Sequence, residues 1–197
     1  MITGIIMASG FSRRMSKDKL LLKIKGVPII ERVIKTAVKS KIDEIILIYR
    51  KNEIKKIGQK YGIKTIYNEG AKKGQSQSIK LGVKYSNPNT KGFVFIVGDQ
   101  PFLSYKTVNR LIDVFLQGKH LIVVPMYREK RGNPVIFSSK LNDKLLNIYG
   151  DKGGRDIIKK MENYVEFVNI KDNIEGIDID KWQEYVKYRE MEMNGYV

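Results

Sequence analysis

Residues 92–101 read GFVFIVGDQP, an unbroken apolar run that ends in a glycine, a carboxylate and a proline. A run of that length without alternation suits a strand covered on both faces. Similar runs stand at 2–8 (ITGIIMA), 44–49 (EIILIY), 64–68 (KTIYN) and 121–125 (LIVVP). Between them the apolar spacing turns helical. From Pro28 to Ser40 the residues Ile29, Ile30, Val33, Ile34, Ala37 and Val38 form one stripe with proline in the first turn. Helices are also expected over 54–61, over 76–85 with Ile79, Leu81, Val83 and Tyr85 inward, and over 105–117 with Val108, Leu111, Ile112, Phe115 and Leu116 inward. Strands alternating with helices imply right-handed crossovers and a doubly wound α/β fold, its mostly parallel sheet covered by helices on both faces. After residue 125 the rhythm changes. A strand at 134–137, helices near 140–147 and 154–161, a strand at 164–169 and a helix from about Lys181 predict a mixed sheet with at least one antiparallel strand. No repeat or compositional break divides the chain, so a single domain over 1–197 is expected.

Composition removes several chemistries. Cysteine is absent and His120 is the single histidine, which excludes disulfides, thiolate catalysis and zinc held by Cys or a His cluster. Any metal must be held by oxygen. No run approaches the roughly 20 apolar residues of a membrane span, and the N-terminal apolar strand precedes its basic residues, the reverse of a secretory signal. A cytoplasmic protein without membrane partners is expected. The net charge of +16, from 37 Lys+Arg against 21 Asp+Glu, favours an anionic partner. The lysines are dispersed rather than gathered into a basic arm, a pattern that a solvated lysine-rich surface explains better, so charge alone is weak support for an anionic ligand.

Ligands of open α/β sheets sit beyond the carboxyl ends of the strands. After the first strand comes MASGFSRRMSKDK, residues 7–19, where Ala8, Ser9 and Gly10 allow close backbone approach and Ser12, Arg13, Arg14, Lys17 and Lys19 supply hydroxyl and cationic groups for phosphates. Neither a Walker loop nor a GxGxxG fingerprint is present. After the fifth strand, Asp99 in Gly98-Asp99-Gln100-Pro101 is placed either to hold Mg²⁺ against a phosphate or to cap a turn. In GIDID, 176–180, Asp178 and Asp180 fall on one side of an extended segment. They could complete a magnesium site with Asp99, and Asp180 could also start the last helix, with Trp182, Tyr185 and Val186 packing inward. Glycine-rich polar segments at 72–78 (KKGQSQS), 131–135 (RGNPV) and 150–156 (GDKGGRD) read as loops around a ligand.

In this order and at these separations the segments resemble the molybdenum cofactor cytidylyltransferases, within the nucleotidyltransferases of molybdopterin dinucleotide synthesis. MASGFSRRMSKDK is similar to the family's opening loop, VGDQP to its metal-binding G-D-x-P, and GIDID to its late metal-ligand segment. GQSQS, RGNPVIF and GDKGGR are similar to its middle motifs. The resemblance implies a Rossmann-like nucleotidyltransferase fold and transfer of CMP from CTP to the terminal phosphate of a molybdopterin-type cofactor, with Mg²⁺ or alternatively Mn²⁺. It makes Arg14 and Lys19 the cations on the triphosphate, and brings Ala8, Ser9, Gly10, Ser12, Gly74, Ser76 and Ser78 to the nucleotide. Asp99 would hold the metal with Asp180 or Asp178. Gln100, Arg131, Gly132, Asn133, Pro134 and Arg155 would face the acceptor. A transient contact with a molybdenum hydroxylase follows from the product. Ser9 stands where cytidylyl enzymes carry alanine and guanylyl enzymes glycine.

Guanylyl transfer, or transfer to another small phosphate, is the alternative within the same fold. A catalytically idle maturation chaperone and a nucleic-acid-binding protein are alternatives from other classes. Intact Arg14, Lys19 and Asp99 argue against the first of these, and the lack of an interleaved aromatic-basic stripe argues against the second.

Overall fold

The computed structural model describes residues 1–12, 14–15, 18–151 and 153–194; Arg13, Ser16, Lys17, Lys152 and residues 195–197 lie outside the described part. The chain begins with β1 (Ile2–Ala8), then a short hairpin of β2 (Lys23–Ile24) and β3 (Val27–Pro28). Next come α1 (Ile29–Lys39), β4 (Glu44–Tyr49), α2 (Asn52–Lys60), β5 (Lys64–Tyr67), α3 (Gln75–Tyr85), β6 (Gly92–Val97) and α4 (Tyr105–Leu116). The last third holds β7 (Ile122–Tyr127), β8 (Lys130–Arg131), β9 (Val135–Ser138), α5 (Asn142–Leu146), α6 (Arg155–Lys160), β10 (Val165–Asn169) and α7 (Trp182–Met193).

The main sheet has eight strands, with path order β10-β7-β9-β6-β1-β4-β5 and β8 paired to β7. β1 is central and runs parallel to both β4 and β6, while β9 lies antiparallel between β6 and β7. This is the α/β Rossmann-like arrangement. The chain winds outward from β1 through β4 to β5, then returns to the other side of β1 at β6. That reversal opens a crevice beyond the carboxyl ends of β1 and β6.

Alternation along the buried strands feeds two cores. Ile6, Val94 and Ile96 meet Ile30, Val33 and Ile34 of α1, Ile54 of α2 and Val108, Leu111 and Ile112 of α4. Ile5, Phe93 and Phe95 face the opposite side with Ile79 and Val83 of α3, Leu145 of α5 and Ile157 of α6. A third small cluster joins Ile24 and Ile29 to Ile179 and Tyr185, and so anchors the C-terminal segment beside the β2–β3 hairpin.

Some expected inward residues point out. Leu116, Tyr85 and Trp182 are 57%, 42% and 45% exposed. Each lies at a helix end, where periodicity continues but the packing surface has run out. The inner face of α3 is built from Ser76, Ser78, Ile79, Gly82 and Val83 instead. α3 rides so close to β1 that a Cβ on Gly82 would come within 2.5 Å of Ile5. Pro28 precedes α1 and pairs with Lys23 rather than entering the first turn. Among the described residues no helix is long and apolar enough to cross a membrane.

Candidate active site

Beyond β1 and β6 lies a cleft of about 520 Å³, within the usual range for small-molecule sites. Ser9, Gly10, Ser12, Arg14, Lys19, Gly74, Ser78, Asp99 and Asp180 all line it. The loop after β1 is closed by its own polar groups. Ser12 adopts a left-handed φ of 49°, and its hydroxyl accepts the Lys19 N–H at 3.3 Å. That strained bend returns the chain to a short 3₁₀ turn over Lys19–Leu21, capped by the Asp18 carboxylate on the Leu20 N–H at 3.1 Å.

Lys19 is the electrostatic centre. Its ammonium donates to Asp180 Oδ1 at 2.6 Å and is ion-paired with Asp99 Oδ2. Arg14 Nη1 lies 3.3 Å from Asp180 Oδ2. Burial alone would lower the Lys19 pKa, but the charges and hydrogen bonds of Asp99 and Asp180 outweigh it and hold the ammonium above its ordinary value. The Lys19 hydrogen bond likewise holds Asp180 below the usual carboxylate range, against an opposing effect of burial. The two carboxylates come from segments far apart in sequence, joined where the Ile179 N–H donates to the Asp99 carbonyl at 3.0 Å.

Asp178 differs from its neighbours. Its side chain keeps contact with solvent, and partial desolvation beside the β6 turn, then the charges of Asp99 and Asp180, push it up to about 6. Between its ordinary value near 4 and 6, the folded protein keeps a proton that the unfolded chain releases, so this group lowers stability as pH rises through that window. Asp178→Asn is expected to raise the Tm at pH 8 by up to about 2 °C and to leave it unchanged near pH 4. A fall in Tm at pH 8 would mean that the ionised carboxylate makes a favourable contact instead.

Two carboxylate oxygens therefore converge on one cationic atom, an all-oxygen donor set suited to a hard divalent cation. Among the described residues no cluster of three metal-ligating side chains exists. An ion held by Asp99 and Asp180 would complete its shell with phosphate oxygens and water, as Mg²⁺ commonly does.

On the other wall, Asn68 Nδ2 donates to Ser9 Oγ at 2.9 Å and to Ser78 Oγ at 3.2 Å, and the two hydroxyls lie 2.8 Å apart. Each hydroxyl accepts from Asn68 and one donates to the other, so one hydroxyl proton of the trio stays uncommitted within it. Asn68 was not singled out from sequence, although it follows β5 as Asp99 follows β6, and the strand-end rule applies to both. The GDKGGR segment folds over the start of α3: the Ser76 N–H donates to the Gly150 carbonyl and the Gln75 N–H to Asp151 Oδ1, each at 3.0 Å. These contacts satisfy orphan N–H groups of the first turn. Gly74, at φ +100°, is required there because a Cβ would lie 2.5 Å from the Gly150 carbonyl carbon. Lys72, Gln75 and Asp151 also line the cleft, and they come from the 72–78 and 150–156 segments read as loops around a ligand.

The remaining expected residues lie outside the cleft lining. Ala8 and Ser76 are buried beneath it. Gln100 is buried and donates to the Gly176 carbonyl at 3.3 Å. Arg131 sits 3.6 Å from Glu162 and 5.3 Å from the Phe167 ring. Gly132 abuts the ring of Tyr127, whose hydroxyl donates to the Asn133 carbonyl at 3.0 Å, and Pro134 is buried just beyond. Gly176 packs against the same ring, so Tyr127 joins the RGNPV and GIDID segments. Arg155 opens α6 and is exposed.

A loop that carries Lys19 and Arg14 against paired carboxylates, at the switch point of a Rossmann-like sheet, is the arrangement of a nucleotidyltransferase. The chain matches the MobA-like NTP transferase domain over residues 4–165 and belongs to that family. It is 30% identical over 195 residues to the purine catabolism protein PucB of Bacillus subtilis, covering 93% of this chain and 94% of that one. It is also 29% identical to a probable molybdenum cofactor guanylyltransferase of Natranaerobius thermophilus, over 64% of this chain and 60% of the relative. Among solved structures, Rv0371c of Mycobacterium tuberculosis superposes with a TM-score of 0.84 at 25% identity, covering 96% of this chain and 97% of that one. The same mycobacterial protein is also known in complex with manganese, with a TM-score of 0.82 at 24% identity and coverage of 96% and 98%.

Proposed function

We propose that the protein transfers CMP from CTP to the terminal phosphate of a molybdopterin-type cofactor, releasing pyrophosphate. The observation that carries the choice of nucleotide is the Ser9–Ser78–Asn68 cluster, whose uncommitted hydroxyl proton would serve as a donor from this wall. Cytosine offers two acceptors, O2 and N3, on its pairing edge, whereas guanine offers mainly donors there. The sequence likeness to the cytidylyl enzymes points the same way. Guanylyl transfer is the second reading, favoured by the relative named as a probable molybdenum cofactor guanylyltransferase.

An oxygen of the acceptor phosphate attacks the α-phosphorus in line, a new P–O bond forms, and the α–β bond breaks to release pyrophosphate. No covalent enzyme intermediate is needed. Lys19 and Arg14 neutralise charge that builds on the departing pyrophosphate, and the small residues Ser9 and Gly10 let the backbone approach the phosphates. Asp99 and Asp180 would hold the divalent cation, Mg²⁺ or Mn²⁺, whose role is to neutralise and orient phosphate oxygens. Arg131, Gly132, Asn133, Pro134, Gln100 and Arg155 belong to the acceptor side in this reading. The product would pass to a molybdenum hydroxylase in the cytoplasm. Neither a nucleic acid nor a membrane is needed as partner.

A thermal-shift panel of CTP, GTP, ATP and UTP, each with and without Mg²⁺, tests the reading. A ligand at ~100 times its Kd adds about 2.7 kcal/mol, which is roughly 5–11 °C for a chain of this size. CTP with Mg²⁺ should give the largest shift. A larger GTP shift moves the protein to the guanylyl reading, and no shift with any nucleotide overturns both.

A further inference from the structure

The loop over residues 10–19 is polar and cationic, and among its described residues Met15 packs against a core cluster. Besides its own Ser12 and Asp18 hydrogen bonds and the pairing of Arg14 and Lys19 with the carboxylates, it is held by the residues that follow the neighbouring strand. Parallel pairing sets Ala8 beside Tyr49, so the two residues after β4, Arg50 and Lys51, emerge alongside the start of the loop. The Arg50 guanidinium lies 4.3 Å from the centre of the Phe11 ring, and its Nη2 donates to the Gly10 carbonyl at 3.3 Å. Lys51 Nζ lies 3.1 Å from Asp18 Oδ2, and the Asp18 side chain is only 4% exposed. The other Asp18 oxygen caps the turn that carries Lys19. One cation therefore grips the loop where it leaves β1 and the next grips it where it delivers Lys19.

We propose that Arg50 and Lys51 are positioning residues that clamp the phosphate loop, and that this clamp sets affinity for the phosphate chain of a nucleoside triphosphate. Neither side chain lines the cleft; they act through the shape of the loop. Removing Lys51 leaves the Asp18 carboxylate buried without its cation, which disfavours the closed arrangement more than removing both charges together. The inference rests on the nucleotidyltransferase class and is independent of the base or acceptor.

The test uses the full chain with Mg²⁺-CTP and Mg²⁺-GTP as probes. Lys51→Met and Arg50→Ala should each weaken the tighter of the two nucleotides about tenfold and speed tryptic cleavage within residues 10–19 at least about fivefold. Lys51→Arg should restore both values. Lys51→Met combined with Asp18→Asn should be milder than Lys51→Met alone, the non-additivity expected of a direct pair. Lys56→Met, on the exposed side of α2, serves as the control. Cleavage and affinity within twofold of the wild type in both single variants, or additive losses in the double variant, would overturn the clamp. If neither nucleotide binds the wild type, the proposed transfer reaction fails, and the cleavage rates without nucleotide still decide the clamp.

Discussion

Asp99→Asn is expected to reduce nucleotidyl transfer by at least ~10³-fold while leaving the fold intact. The substitution keeps the size of the side chain and the backbone carbonyl that accepts the Ile179 N–H, so the link between the β6 turn and the C-terminal segment survives. What it removes is one of the two charges that converge on Lys19. A divalent cation would then be held by Asp180 and phosphate alone. Loss of one preorganised electrostatic group at a developing charge typically costs 10²–10³-fold, and loss of a charged metal ligand adds the displacement of the ion. The variant should show a wild-type circular dichroism spectrum and no measurable product at Mg²⁺ concentrations that saturate the wild type. Turnover within tenfold of wild type would remove Asp99 from the metal site. Asp180→Asn should follow Asp99→Asn in direction, whereas Asp178→Asn should not, because Asp180 and not Asp178 shares the Lys19 ammonium.

The parallel half of the fold was legible because its strands are apolar throughout and leave little room for another assignment. Legibility failed where side-chain size rather than hydropathy carries the packing. The inner face of α3 uses serine and glycine to approach β1, so the hydropathy stripe of that helix pointed partly to the wrong residues, Tyr85 among them. The β2–β3 hairpin and β8 have two residues per strand, too few for any alternation to register. Around the cleft, Arg14, Lys19, Asp99 and Asp180 could be singled out because a strand end or a dense polar loop marks each one. Asn68 has the same mark, but the strand read over 64–68 absorbs it, whereas β5 ends at Tyr67. The relation of the RGNPV residues to the cleft was not legible in the sequence, since it depends on how Tyr127 packs against Gly132 and against the distant Gly176.

Lys19→Ala is expected to lower the rate at least ~10²-fold, about 2.7 kcal/mol of transition-state stabilisation, while strengthening rather than weakening metal binding. The two effects have opposite signs because the ammonium faces both partners of the reaction. In the proposed reaction it would neutralise departing pyrophosphate, since it lines the cleft beside Arg14. Toward the protein it neutralises Asp99 and Asp180, and it competes with any other cation for the same oxygens. Removing it leaves two carboxylates repelling each other across a partly buried gap, an arrangement that a divalent ion relieves. Mn²⁺ titration followed by electron paramagnetic resonance should therefore report a lower Kd in Lys19→Ala than in the wild type, and single-turnover assays should report the slower transfer. Arg14→Ala is expected to lose a comparable factor in rate with little change in Mn²⁺ affinity, since Arg14 touches only Asp180 and from an exposed position. If Lys19→Ala instead lost metal affinity, the ammonium would be organising the carboxylates rather than competing for them. Asp99 and Asp180 would then depend on Lys19 to form a site at all.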